Sequence, residues 1–206
     1  MPPESVLHKN ASPASSPLES YGLIGDCQTA ALVGLDGSVD WLCWPRFDSD
    51  ACFAALLGDA SNGRWRIAPS AETTPGKTVP GKTVPGKATP GKATKVSRRY
   101  RPDTLILETS FTTATGRVTV VDFMLSRGHT SDLVRLVRGD RGRVEMDMEF
   151  VLRFGYGAIV PWVSRMKDGT LRAIAGPDMI VLRGPVGMHG ENFTTRATFD
   201  VAAGET

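Results

Sequence analysis

The residues best suited to chemistry lie in one stretch, Trp44-Pro45-Arg46-Phe47-Asp48. An indole, a guanidinium, a phenyl ring and a carboxylate so close together can stack on a sugar face and hydrogen-bond its hydroxyls. The same residues admit an architectural role, in which Arg46 pairs with Asp48 while Trp44 and Phe47 pack in the core. Arg153-Phe154-Gly155-Tyr156-Gly157, with Pro161-Trp162 after it, has a similar character, and the two stretches are candidates to meet in space. Asp26, Asp40, Asp48, Asp50 and Asp59 cluster in sequence around the first stretch. Their spacing reads as turns, caps and salt bridges rather than as a carboxylate pair for acid–base work.

Other chemistries find little support. His8, His129 and His189 are far apart in sequence, with no cysteine at ligand spacing, so no metal site is expected. Gly184-Pro185-Val186-Gly187 is turn chemistry and not a phosphate loop, and no cofactor is expected. No Ser/His/Asp order predicts a nucleophile. The net charge of +2 gives no reason to expect nucleic acid as a partner.

The elements that must hold these residues read as strands. Asp36-Gly37 separates the apolar runs Thr29–Val33 and Val39–Cys43, and Asp-Gly between such runs predicts a hairpin because both residues tolerate φ > 0. Pro45 cannot donate to a ladder, so the second strand is expected to end there. Asp50–Gly58 reads as one short helix, capped by Asp50 and stopped by Gly58. Gly63–Pro69 alternates as a strand. Thr104–Thr113 and Arg117–Leu125 flank a second turn, Ala114-Thr115-Gly116, and Asp132–Arg138 is a further run. In Arg143–Arg153, Val144, Met146, Met148, Phe150 and Leu152 face one way and the charged residues the other, the period of a half-buried strand. Asp168-Gly169 joins Trp162–Lys167 to Thr170–Ala175, and runs at Met179–Arg183 and Asn192–Ala202 follow. Ten to twelve short strands with turns between them predict an all-β fold, a large antiparallel two-sheet β-sandwich.

The 206 residues suffice for a real core, and 41% of them are hydrophobic. Residues 1–17 are rich in Pro, Ser and Ala and read as a disordered tail ahead of a sandwich over 18–206. Pro-Gly-Lys recurs at 75–77, 80–82, 85–87 and 90–92 within a loop spanning 70–96. Pro and Gly reject helix and strand there, so the repeat reads as a solvated loop expansion. Its lysines, together with Lys95, Arg98, Arg99 and Arg101, also form a candidate basic arm for polyanions. Cys27, Cys43 and Cys52 are an odd set without CxxC spacing, no run is long enough to span a bilayer, and the first residues lack an apolar signal-peptide core. A cytoplasmic protein with reduced thiols, away from membranes, is the expectation.

Several ordered motifs resemble one family. Tyr21–Trp41, then Pro45–Ser49, Phe53–Asp59 and Gly63–Pro69, are similar to the opening of the N-terminal domain of bacterial glycoside hydrolase family 15 proteins, the trehalase-like and glucoamylase-like enzymes. The likeness continues in Ser97–Leu105, Val121–Met124, Arg153–Gly157 with Pro161-Trp162, and Ala173–Asp178. It implies a two-sheet sandwich that continues past residue 206, leaving the C-terminal edge incomplete here. It implies a catalytic (α/α)6 barrel as partner in cis, acting on α-glucosides such as trehalose or malto-oligosaccharides by inversion. Twelve helices of ~12 residues would need ~140 helical residues, so that barrel, with its catalytic glutamates, is expected to be absent and this chain alone inactive. The resemblance suggests Trp44, Arg46, Phe47 and Asp48, with Arg153, Tyr156 and Trp162, as substrate-rim or domain-interface residues. Gly155 departs from the family, where Asp is frequent, which weakens a polar role at that position. Two other readings fit the same residues: a stand-alone carbohydrate-binding or interaction module, and a truncated product.

Overall fold

The computed structural model describes residues 17–70, 78–79, 82–83, 93–128 and 130–206. The expected disordered tail and the Pro-Gly-Lys repeats therefore lie largely outside the described residues. In chain order the strands are β1 (Gly22–Gly25), β2 (Ala30–Val33), β3 (Ser38–Cys43), β4 (Ala51–Phe53), β5 (Arg64–Pro69), β6 (Thr78–Val79) and β7 (Lys82–Thr83). They continue with β8 (Lys95–Tyr100), β9 (Leu107–Thr112), β10 (Gly116–Met124), β11 (Leu133–Val151), β12 (Trp162–Arg165), β13 (Leu171–Ala175), β14 (Asp178–Leu182), β15 (His189–Glu191) and β16 (Thr194–Ala202). Among the described residues every strand pairing is antiparallel, and the fold is all-β.

One long strand organises the layers. The first half of β11 pairs with β10, which leads outward to β9 and β8; its second half pairs with β5 on one side and β16 on the other. Strands β3, β2 and β1 extend the second layer beyond β5, and β15 extends it beyond β16. The sequence suggested two separate runs, 132–138 and 143–153, where the structure has this single strand. It changes layer at Gly139–Gly142, where Asp140 is bulged out of register against Arg117 and Val118. No larger residue fits at the bend: a Cβ on Gly139 would sit 2.0 Å from the Ala202 carbonyl oxygen, and one on Gly142 2.2 Å from that of Thr115. A bulge that bends and twists a strand is the usual device for curling a sheet.

The core lies between the layers. Ile24, Val33, Val39, Leu107, Val118, Val120 and Met146 are fully buried, and Phe150 meets Phe53 and Trp65 edge-on at 5.7 and 5.6 Å. The period-two reading of 143–152 holds: Val144, Met146, Met148, Phe150 and Leu152 are all buried. A polar tie joins the layers too. Arg135 on β11 and Asp122 on β10 pair at 2.8 Å with side chains wholly buried. The guanidinium also donates to the carbonyls of Gly37 (2.7 Å) and Trp65, and lies 5.3 Å from the Trp65 ring centre.

Two expectations need correction: the helix at 50–58, and the exclusion of strand from the 70–96 loop, within which β6 pairs with β7 and β8 begins at Lys95. Asp50–Gly58 is no α-helix: Ala51–Phe53 is a strand on β3, followed by single 3-10 turns at Ala55–Leu57 and Ala60–Asn62. A short apolar run carries no period that separates strand from helix, and Ala51, Cys52 and Phe53 are all buried. The cap of that region is Asp59, whose side chain accepts from the Ser61 amide, while the Asp50 carbonyl accepts from the Trp44 amide. The described arginines of the candidate basic arm already have partners, although Arg99 and Arg101 stay 75% and 46% exposed. Arg99 and Arg101 hold the buried Glu108 at 2.7 and 2.9 Å, and Arg98 donates to the Ser20 carbonyl. Tyr100 between them donates to the Leu23 carbonyl and accepts from its amide, pinning β8 to β1.

Candidate functional site

The Trp44–Asp50 segment is the connection between β3 and β4, closed at its base by the Trp44 amide on the Asp50 carbonyl (3.3 Å). Its two sequence readings are both partly realised. Arg46 and Asp48 pair at 2.9 Å across an exposed turn, and that contact lowers the Asp48 carboxyl below its ordinary value. Water screens such a pair, so it shapes the tip more than it stabilises the fold. Trp44 packs against the core, whereas Phe47 projects outward, 63% exposed.

The placement of Phe47 is firm despite its exposure. Its amide donates to the Gln28 carbonyl at 2.8 Å. Gln28 in turn belongs to an Asx turn in which the Asp26 carboxylate accepts from the amides of Gln28 (2.9 Å) and Thr29 (2.8 Å). Arg127, nearly buried, ties the two loops together: it binds Asp26 at 2.9 Å, the Gln28 side chain at 3.2 Å and the Pro45 carbonyl. Burial pushes the Asp26 carboxyl up, but the Gln28 and Thr29 amides and Arg127 outweigh it and hold the group below its usual value. Arg127 was not among the residues the sequence singled out. Its neighbours Ser126 and Gly128 gave no motif, and the signal would have been an arginine in an otherwise polar loop.

The second stretch divides. Phe154–Ile159 forms a tight loop with Gly155, Tyr156 and Gly157 all at positive φ. The Tyr156 amide donates to the Ala51 carbonyl at 3.1 Å, and its ring meets Trp41 at 6.1 Å. Tyr156 thus joins the β3–β4 hairpin whose tip carries Phe47. Arg153 and Trp162 belong elsewhere, on a groove of about 730 Å³ between the β12–β13 hairpin and the β15–β16 hairpin. The Arg153 guanidinium donates to the carbonyls of Leu152 (2.7 Å) and Phe193 (3.2 Å), and burial pushes its pKa down. Trp162 is 80% exposed. Phe193, absent from the sequence-based candidates, faces the same groove.

A glycosidic acid needs a carboxyl whose pKa is raised, beside a second carboxylate across the bond. The buried carboxylates Asp26, Glu108 and Asp122 and the half-buried Glu149 are instead engaged by arginines, while the half-buried Asp40 accepts from the Tyr21 and Ser38 hydroxyls and Asp147 from that of Thr198. Asp26 meets Arg127, Glu108 meets Arg99 and Arg101, Asp122 meets Arg135, and Glu149 meets Arg64 and Arg196. Arg101 and Arg99 lower the Glu108 carboxyl; Glu149 is raised by burial and lowered further by Arg64, Arg196 and Arg66. Among the described residues no three His, Cys, Asp or Glu side chains group as metal ligands, and no helix is long and apolar enough to cross a membrane.

The chain is similar to known proteins over most of its length. It is 33% identical over 159 residues to a trehalase of Mycolicibacterium smegmatis, covering 68% of this chain and 21% of that protein. It is 34% identical over 133 residues to a trehalase of Mycobacterium tuberculosis (65% of this chain, 16% of that protein), and 29% identical over 152 residues to Trehalase 1 of Sulfolobus acidocaldarius (74% and 22%). The chain therefore spans about a fifth of the length of the curated relatives it matches. No solved structure matches it significantly. The family described as trehalase-like, N-terminal, matches residues 10–204, nearly the whole of the described fold, and the chain belongs to that family.

Proposed function

We propose that residues 18–206 are the N-terminal accessory domain of a larger cytoplasmic family 15 glycoside hydrolase acting on α-glucosides, trehalose or malto-oligosaccharides. Its catalytic partner is an (α/α)6 barrel in cis, which supplies both catalytic carboxylates; this domain supplies none and is inactive alone. The β3–β4 tip faces the rim of the sugar site. There Phe47 offers an apolar face to the sugar ring, Arg46 and Asp48 offer hydrogen bonds to its hydroxyls, and Trp44 and Tyr156 brace the loop.

The observation that carries this reading is the Phe47 tip. A large ring is held out in water on a loop that Arg127, Asp26 and Gln28 fix in place. A site that orients a substrate works through parts held firm before it binds. The partial coverage of the trehalases supports the larger polypeptide. The test is hydrolysis of trehalose and maltose by the 206-residue chain and by the complete native polypeptide. Activity confined to the complete polypeptide is the expected result. Turnover by the 206-residue chain would overturn the assignment, and sugar binding with no hydrolysis by either would favour a stand-alone binding module.

A further inference from the structure

The β15–β16 hairpin turns through Asn192 and Phe193, both left-handed at φ +48° and +56°, with Glu191 paired to Thr194. Two positive φ angles in a two-residue turn make the type I′ geometry that favours Asn-Gly. Phenylalanine in the glycine's place strains the backbone and gains no burial, since Phe193 is 81% exposed. Neither local conformation nor the core accounts for that ring. Strained backbone of this kind gathers at ligand clamps and switch regions.

Trp162 stands across the groove from it, equally exposed. Val160 and Val163, beside Trp162 in the groove lining, are also about half exposed. Two arginines line the groove. Arg153 donates only to the Leu152 and Phe193 carbonyls, and Arg165 only to those of Gly169 and Met188. Among the described residues neither meets a carboxylate. Exposed aromatic residues beside arginine, with Glu191 (paired to Arg196 at 3.6 Å) the one other charge in the lining, are the composition of an interface core, and an exposed apolar patch of this kind marks an interaction site.

We infer that this groove seats a protein segment: an apolar stretch bearing a carboxylate, contributed by the rest of the polypeptide. The inference rests on the reading above that the domain belongs to a longer chain, as its trehalase relatives do. Trp162 and Phe193 clamp the apolar side chains of the segment, and its carboxylate meets Arg153 and Arg165, a charge-assisted contact. Leu171, Ala173 and Leu182 give the groove an apolar side that takes apolar side chains better than sugar hydroxyls; its polar lining is Arg153, Arg165, Glu191, Asn192, Thr194 and Thr195.

The experiment is hydroxyl-radical footprinting of the 206-residue chain and of the complete native polypeptide, read by mass spectrometry. Labelling of Trp162 and Phe193 is expected to fall several-fold in the complete polypeptide, with Tyr100 on β8 unchanged as the control. Phe193→Gly should raise the melting temperature of the 206-residue chain by about 2–4 °C, because strain is relieved and no burial is lost. In the complete polypeptide the same variant should restore labelling of Trp162. Equal labelling of the two forms overturns the proposal. So does protection of the 206-residue chain by its own concentration, which would make the occupant a second copy, or by added maltoheptaose, which would make it a sugar. A native polypeptide of only 22.1 kDa would remove the larger-enzyme reading and this proposal together; a longer one with equal labelling would remove this proposal alone.

Discussion

Arg135→Leu should be among the most damaging single changes in the domain. The substitution keeps much of the volume and removes the charge. It leaves the Asp122 carboxylate wholly buried without its partner and takes a donor from the Gly37 and Trp65 carbonyls. Breaking a buried pair from one side costs about 3–5 kcal/mol. For a domain of this size each kcal/mol lowers the melting temperature by roughly 2–4 °C, so the fall should be about 6–20 °C. The assay is thermal and urea unfolding of the 206-residue chain, with the single variants and the Asp122→Leu/Arg135→Leu double variant. The double variant should recover part of the loss, since it buries no unpaired charge. A loss below about 1 kcal/mol for Arg135→Leu, or strict additivity in the double variant, would refute the claim that this pair ties the layers together.

Arg127→Ala should free the β3–β4 tip, and tryptic cleavage after Arg46 should accelerate in that variant before global unfolding; an unchanged cleavage rate would remove Arg127 as the holder of the loop. Phe47→Ala should change stability by less than about 1 kcal/mol, because so little of the ring is buried, yet weaken sugar turnover by the complete polypeptide; a melting loss with normal kinetics would assign Phe47 to the core. Glu108, lowered by Arg101 and Arg99, contributes stability that is fully present above its unfolded value near 4.5 and is lost as pH falls through the lower folded value. Glu108→Gln should therefore flatten the acid limb of the stability curve below about pH 4.5, and an unchanged limb would contradict it.

The parts of the fold legible in the sequence are those set by local rules. Asp36-Gly37, Ala114-Thr115-Gly116 and Asp168-Gly169 each turn where their residue types predict; Gly37 and Gly169 take the positive φ there, whereas the 114–116 turn forms without it. The alternation of 143–152 showed a buried face because period two is fixed by the strand. What was not legible is what depends on distant partners. The layer change of β11 needs the carbonyls of Thr115 and Ala202 against Gly142 and Gly139, and no local signal marks that approach. Ala51–Phe53 became a strand because β3 offered it an edge. Arg127 acts through residues 82 to 101 positions away, and Arg135 joins Asp122, 13 positions away, to Trp65 and Gly37, 70 and 98 positions away, beyond any motif. Phe193 was missed for a different reason: an exposed aromatic in a turn contradicts the rule that identifies turns by glycine.

The central claim is that this domain serves a longer enzyme, and the size of the native protein tests it most directly. An antibody raised against the 206-residue chain, applied to a lysate of its source, should reveal a band several-fold above 22.1 kDa. A band at 22.1 kDa would contradict the account and leave a stand-alone module whose ligand the Phe47 tip and the Trp162–Phe193 groove would have to supply.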